Sequence, residues 1–400
     1  MRTILCPVPL PPRRHVSVAR AWIYALSLGG TLALLAVAVA AASLLQEATR
    51  AASPPASGSP EYLVARGAAL FATNFLPTDG LGPLFNATSC LSCHHTPSAG
   101  GMGADGLATV IRVGRLSPTG FDPLVGHGGP IVRAHSVAEL GQPCDLPLGI
   151  PAGVNMTSIR NTPPLFGSGL IDALPDEVIL AGAVPRGHGV HGRPHLVRDA
   201  QGRERVGRFG WKADTATLLQ FVADAFRNEL GLTNPLAPID LIPVGRGSSQ
   251  RCAGAADAPE DDGTTVMAVT AYLAALPPPA PLADLPPGVG VFTAIGCAAC
   301  HTPSLQLGDR QVPLYSDLLL HDLGPDLDDK VVQGQAAGRD WRSTPLWGLG
   351  ARPRLLHDGR AQTIAAAIMA HGGEATSAVR HFMSLSSTAR DTVLTFLRSL

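Results

Sequence analysis

The chain has 400 residues, 30 basic and 31 acidic side chains, a formal net charge of −1 and 46% hydrophobic residues. Balanced charge excludes a polyelectrolyte surface for nucleic acid. Its 44 glycines and 36 prolines predict a loop-rich chain, and aliphatic residues that stay frequent from residue 60 onward exclude disorder.

Arg2, Arg13, Arg14 and Arg20 precede an uncharged run from Ala21 to Leu45. That run outlasts the roughly 7–15 apolar residues of a signal-peptide core and reaches the about 20 that a spanning helix needs. Basic residues on its N-terminal side place that end in the cytoplasm, so the remainder is expected in the periplasm or on the outer side of the inner membrane. Small residues from Ala40 to Ser43 also suit a signal peptidase. Membrane anchor and cleaved signal therefore both stand, with export common to the two. Residues 51–60 (AASPPASGSP) read as a flexible tether, which closes a first segment, 1–60.

Seven cysteines follow a pattern: Cys6, two CxxC pairs at Cys90/Cys93 and Cys297/Cys300, and lone Cys144 and Cys252. An exported chain permits a disulfide between the lone pair, but sequence cannot supply the geometry, so pairing stays open. Residues 89–95 read SCLSCHH and residues 297–301 read CAACH, so each pair is followed at once by a histidine, His94 or His301. CxxCH is the attachment pattern of c-type haem: two thiols bond the ring and the adjacent histidine ligates iron. A zinc site would need further ligands at finger-like spacing, and a redox dithiol needs no histidine. Two copies favour two covalently bound haems. His95, next to a proximal ligand, reads as a packing residue.

The flanks repeat. Gly67-Ala-Ala-Leu70-Phe71 precedes the first clip and Gly288-Val-Gly-Val291-Phe292 the second; 266–279 and 390–400 each show apolar residues at helical spacing. Prolines 277–279, 281, 286 and 287 break the chain between. A second echo, R-x-T-P-L-x-G-x-G, joins Arg160–Gly169, which carries one extra proline, to Arg342–Gly350. The expectation is a mainly α protein: an N-terminal hydrophobic helix, then two tandem cytochrome c-like domains with long loops, at 61–280 (with insertions) and 285–400. His188, His191 and His195 lie in a glycine-rich insertion that reads as a surface loop rather than a metal site.

The chain resembles the bacterial di-haem cytochrome c peroxidase superfamily, and within it the di-haem oxidoreductases, some labelled peroxidases or thiol oxidoreductases. The stretches that carry the resemblance are 80–101, 161–177, 207–235, 315–329 and 342–375, the last being the most specific. It implies one haem per domain: one fed by a small donor, a soluble c-type cytochrome or a cupredoxin, and one with an open face for hydrogen peroxide. In the peroxidases a methionine about fourteen residues after HDG caps the electron-transfer haem. Here His357-Asp358-Gly359 is followed at that place by His371, so the sixth ligand becomes imidazole, which lowers the reduction potential relative to thioether. The catalytic acid falls on the segment with Trp211, Gln220 and Glu229; Glu229 is the candidate proton carrier and Glu177 its competitor. The family's detachable distal histidine would be His127 or His135. His357, Arg360 and Arg342 are expected to hydrogen-bond haem propionates. Asp326, Asp328 and Asp329 read as a solvated acidic loop, with calcium as the alternative, as in some relatives. Tyr315 and His321 lie in a shared motif without an assigned role.

Three functions remain in view: a peroxidase, a pure electron carrier with both haems six-coordinate, and an oxidase of protein side chains. Thiol chemistry is weaker, because haem consumes both CxxC pairs.

Overall fold

The computed structural model describes residues 57–103, 109–187, 189–243, 252, 259–279 and 286–400. The apolar run 21–45 lies outside them. Among the described residues no helix is long and apolar enough to cross a membrane.

Helix α1 (Pro60–Ala72) starts where Ser59 accepts the Tyr62 N–H at 3.1 Å and proline takes the first helical position. There follow strands β1 (Leu84–Phe85), β2 (Thr109–Ser117), β3 (Gly120–Asp122), β4 (His135–Ser136) and β5 (Met156–Asn161), and helices α2 (Ser168–Ala173) and α3 (Asp176–Leu180). Strands β6 (Leu196–Arg198) and β7 (Glu204–Val206) make a hairpin before helix α4 (Leu218–Ala225), which runs into a π-turn, Phe226–Leu230, and then helix α5 (Thr264–Ala275). The second half has helix α6 (Val289–Ala294), strands β8 (Leu305–Leu307), β9 (Arg310–Val312), β10 (Leu320–Asp322) and β11 (Asp340–Arg342), and helices α7 (Ile364–Ala370), α8 (Thr376–Ser384) and α9 (Ser387–Arg398).

This is not a mainly α fold. Helix accounts for 32% and strand for 18% of the described residues. The segments expected as loops are pinned by small antiparallel sheets. The largest, β3-β2-β5, pairs Thr109 with Asn161 through to Gly114 with Met156. The cause is local: TVIRV supplies β-branched side chains suited to a pleated surface. Glycines in the left-handed region, such as Gly80 and Gly231, meanwhile end helical turns early.

The sequence echoes become equivalent contacts. A Cβ on Gly67 would sit 1.9 Å from the Ala268 carbonyl oxygen, and one on Gly288 would sit 2.4 Å from Phe396 Cβ, so in each half the opening helix crosses the closing one at glycine. The last glycine of each R-x-T-P-L echo repeats this: Gly169 abuts Ala274 O and Gly350 abuts Arg398 O, with a Cβ at 2.1 Å in both. The preceding glycine donates its N–H to the residue just past the closing helix or at the chain's end: Gly167 to Leu276 O at 3.1 Å, Gly348 to Leu400 O at 2.5 Å. Phe71 packs tilted on Tyr272, and Phe292 packs edge-on to Phe396.

One core gathers Phe71, Leu165, Phe226, Val269 and Leu273 and takes in Leu305, Leu314, Leu319 and Trp347 from the second half. A smaller core holds Phe292, Tyr315, Leu355, Phe382, Val393 and Phe396. The lone cysteines form a disulfide, Cys144–Cys252, packed against Leu84, Leu146 and Ile242.

Candidate functional site

Two cavities are built around the two clips. The first, of about 330 Å³, is lined by Cys90, Cys93 and His94, with Phe71, Val222, Phe226 and Leu273 among its apolar walls. The second, of about 460 Å³, is lined by Cys297, Cys300 and His301, with Phe292, Leu346, Ile364 and Ile368. Asn161, Pro163 and Trp211 line both and so form the partition between them.

In each clip the histidine is held in the same way. His94 Nδ1 lies 2.9 Å from the Gly101 carbonyl and His301 Nδ1 lies 2.9 Å from that of Tyr315. A carbonyl only accepts, so Nδ1 carries the proton and Nε2 presents a lone pair, which is the tautomer a metal requires. Burial lowers both imidazoles to about 4, keeping them neutral. Tyr315 adopts φ 51° to aim its carbonyl, a left-handed conformation costly for a bulky residue. Burial, reinforced by the neighbouring cysteine, pushes the Cys90 and Cys297 thiols up to about 12.

His371 repeats this arrangement. It caps α7 and lines the second cavity with His301; its Nδ1 is 2.6 Å from the Ala367 carbonyl, and burial lowers its pKa. The second cavity thus holds two imidazoles with bare Nε2 atoms. In the first cavity His94 is the one histidine among the lining residues. His127 bridges to Pro243, and His135 stacks on Phe85 and bonds Glu139 at 2.8 Å; neither lines a cavity. His95 bonds the Ser92 carbonyl at 3.2 Å, outside both cavities.

Glu229 does line the first cavity. Its π-turn widens the helix end, and burial raises its pKa against the pull of the Asn86 N–H and of Arg133 and Arg112. Glu177 lies exposed on α3, and Gln220, on α4, lines neither cavity. Trp211 donates its indole N–H to the Asn161 carbonyl at 2.9 Å.

Whether haem fits is tested by the polar atoms these walls leave without partners. Arg342 and Arg352 line the second cavity; burial lowers both to about 10, and among the described residues neither has an ion pair. Arg342 donates only to backbone carbonyls, Gly210 and Ser343, and Arg352 Nε has no partner. In the first cavity Arg112 Nε, Arg160 Nε and Nη1, Arg227 Nε and both amide atoms of Asn161 are buried and unpartnered. Buried donors without acceptors are costly unless a ligand supplies them. An apolar slot with two thiols, one lone-pair imidazole and orphaned guanidinium donors fits a ring with carboxylate arms. Arg160 is the residue that sequence reading missed. It occupies the echo position of Arg342, which was the signal. His357 lines the second cavity and stacks on Trp341 at 3.8 Å, whereas Arg360 is exposed, bonded to Asp358 and the Asp326 carbonyl, and lines neither cavity.

His321 also lines the second cavity, between Asp317 (3.1 Å) and Glu374 (2.8 Å), with Cys300 Sγ 3.4 Å away. Burial pulls its pKa down, but the bonds to Asp317, Cys300 and Glu374 outweigh it and raise it to about 12. The acidic loop serves internal cations. Asp329 pairs with Arg160 and lies 3.5 Å from Lys212 Nζ, and Asp328 pairs with Lys330 at 2.5 Å. His195 is buried between the Lys212 carbonyl and the Gln335 N–H, His191 is exposed, and His188 lies outside the described residues. Among the described residues no cluster of three or more acidic, histidine or cysteine side chains is placed to cage a metal.

The family model "Di-haem oxidoreductase, putative peroxidase" matches residues 151–400. No curated protein matches the chain. Among solved structures, a Kuenenia stuttgartiensis hydrazine synthase pressurised with xenon aligns over 87% of this chain and 89% of its own, at 14% identity and a TM-score of 0.40, too distant to carry a functional inference.

Proposed function

The chain belongs to the di-haem oxidoreductase family, and from that premise we propose that it is an exported peroxidase that reduces hydrogen peroxide to water with electrons from a small redox carrier, a c-type cytochrome or cupredoxin. Cys90 and Cys93, and Cys297 and Cys300, would hold the two haems covalently. His94 and His301 would be their proximal iron ligands, and His371 the sixth ligand of the second. When bound, the haems supply one-electron storage and the cleavage of the O–O bond.

The observation that carries this reading is the asymmetry of the cavities. Among the described residues the second is lined by His301 and His371, while the first is lined by one histidine, His94, with the acid Glu229. A pure carrier would need a second strong ligand in both. In this reading the first cavity would keep one face for a small substrate, beside a group able to move a proton. Burial raises the Glu229 pKa, opposed by Asn86, which donates to one carboxylate oxygen at 2.8 Å. Arg112 and Arg160, which line that cavity, keep buried donors without partners, and Trp211 and Pro163 line both cavities. The Cys144–Cys252 disulfide supports an oxidising compartment and hence export.

The test is electron paramagnetic resonance of the half-reduced holoprotein before and after stoichiometric peroxide. A high-spin or exchangeable site that peroxide consumes is expected; two low-spin centres that peroxide leaves untouched would refute the peroxidase in favour of the carrier. Glu229→Gln should lower peroxide turnover on the order of 10²–10⁴-fold while retaining both haems.

A further inference from the structure

Glu229 is not held in place by its own helix alone. In the π-turn its carbonyl is captured from outside, by the Asn86 N–H at 2.7 Å and the Ala87 N–H at 3.3 Å. The Asn86 side chain completes the hold: its Nδ2–H donates to Glu229 Oε2 at 2.8 Å, while its Oδ1 accepts the Ala134 N–H at 3.0 Å. That last bond fixes the carboxamide orientation, because with Oδ1 committed to a donor the NH₂ must face the carboxyl group. Asn86 lies behind Glu229 and does not line the cavity. It is four residues before Cys90, so the strut links the acid to the first clip through a short, sheet-anchored segment (Phe85 pairs with His135).

We propose that Asn86 is the positioning residue of the Glu229 carboxyl group: it fixes the acid relative to the first clip and, as a donor with no acceptor to offer, favours the ionised form that receives a proton. This rests on the reading of Glu229 as the proton carrier. The other charged groups acting on Glu229 are Arg112, from β2, and Arg133, from the segment before β4; Arg133 is itself under the influence of Asp240 and Arg227. No side-chain hydrogen bond to Glu229 other than that of Asn86 is present among the described residues. The carboxamide is therefore the contact at hydrogen-bond range that opposes desolvation.

Two variants separate the strut from the surrounding structure. Asn86→Asp keeps the acceptor that Ala134 needs but sets a second carboxyl group against Glu229. Asn86→Leu removes both the donor to Glu229 and the acceptor for Ala134 and keeps the bulk. The readout is infrared difference titration of the holoprotein, with the Glu229 band identified by its loss in Glu229→Gln, alongside the pH dependence of peroxide turnover. The Glu229 midpoint is expected to rise by about one pH unit or more in Asn86→Asp and by less in Asn86→Leu, with the turnover profile following. A shifted midpoint with an unmoved profile supports the strut and sinks the proton role of Glu229. Unshifted midpoints in both folded variants overturn the strut, whatever the turnover. Failure of both variants to fold, while Glu229→Gln folds normally, makes Asn86 merely structural and overturns it too.

Discussion

Lys212 is fully buried, and its ammonium donates to the carbonyls of Ala337 (2.7 Å), Gly338 (2.9 Å) and Asp340 (3.0 Å), with Asp329 at 3.5 Å and the Trp341 ring centroid at 3.9 Å. Lys212→Met keeps the stem and deletes the charge. Removing one partner of a buried ionic group costs about 3–5 kcal/mol. Here Asp329 keeps Arg160 and Ser158, Gly338 O keeps the Asp329 N–H, and Ala337 O keeps the Asp340 N–H. The expected loss therefore sits at the lower end, about 3 kcal/mol, read as a fall in the urea midpoint of the holoprotein with little change in slope. The pH dependence has a definite sign. Burial, opposed by Asp329, lowers the Lys212 pKa from 10.5 to about 8. The unfolded chain then binds the extra proton between those values, so wild-type stability gains on the variant as pH rises from about 8 to 10.5, by about 3 kcal/mol at 1.36 per unit. A gap that narrows over that window would refute the reasoning, showing that the carbonyl cage holds the ammonium more strongly than burial opposes it.

Reducing or deleting Cys144–Cys252, which closes a separation of 108 residues, should cost about 2–5 kcal/mol; an unchanged melting temperature under reductant would contradict this. Gly67→Ala forces a Cβ to within 1.9 Å of Ala268 O and should destabilise by about 1–3 kcal/mol or more. Gly290→Ala, in α6 with nothing within 4 Å of its Cβ, should instead add about 0.5–1 kcal/mol; thermal melts that rank the two variants the other way would invalidate the helix-crossing account. His371→Ala should replace one low-spin resonance of the holoprotein by a high-spin one, and an identical spectrum would remove His371 from the ligand set.

What the sequence made legible follows from how locally each feature is encoded. CxxCH is a five-residue pattern, so both candidate clips could be proposed without any tertiary information, and the structure places each at a cavity. His371 needed only a fixed spacing from HDG, and the structure places it in the second cavity beside His301. Glu229 was harder to separate from Glu177, because what distinguishes them is a π-turn on one side and exposure on the other. Neither is written in composition. The fold class failed where a resemblance to helical cytochromes outweighed a local signal: TVIRVGRLS reads as a strand by its β-branched residues, and β2 proved the centre of the largest sheet. Arg160 failed for the opposite reason. The echo R-x-T-P-L was seen, yet only its second arginine was given a role. In the structure both arginines lie within the last two residues of a strand (β5 and β11), both are held down to about 10 by burial, and each lines its own cavity. The two echoes thus share an arginine that lines a cavity as well as a CxxCH stretch that lines it. Each residue assigned in one copy therefore assigns a position to be checked in the other. By that rule Glu229 and His371 are the informative pair, because there the two cavities differ, and a difference between copies is where catalysis and electron storage can part.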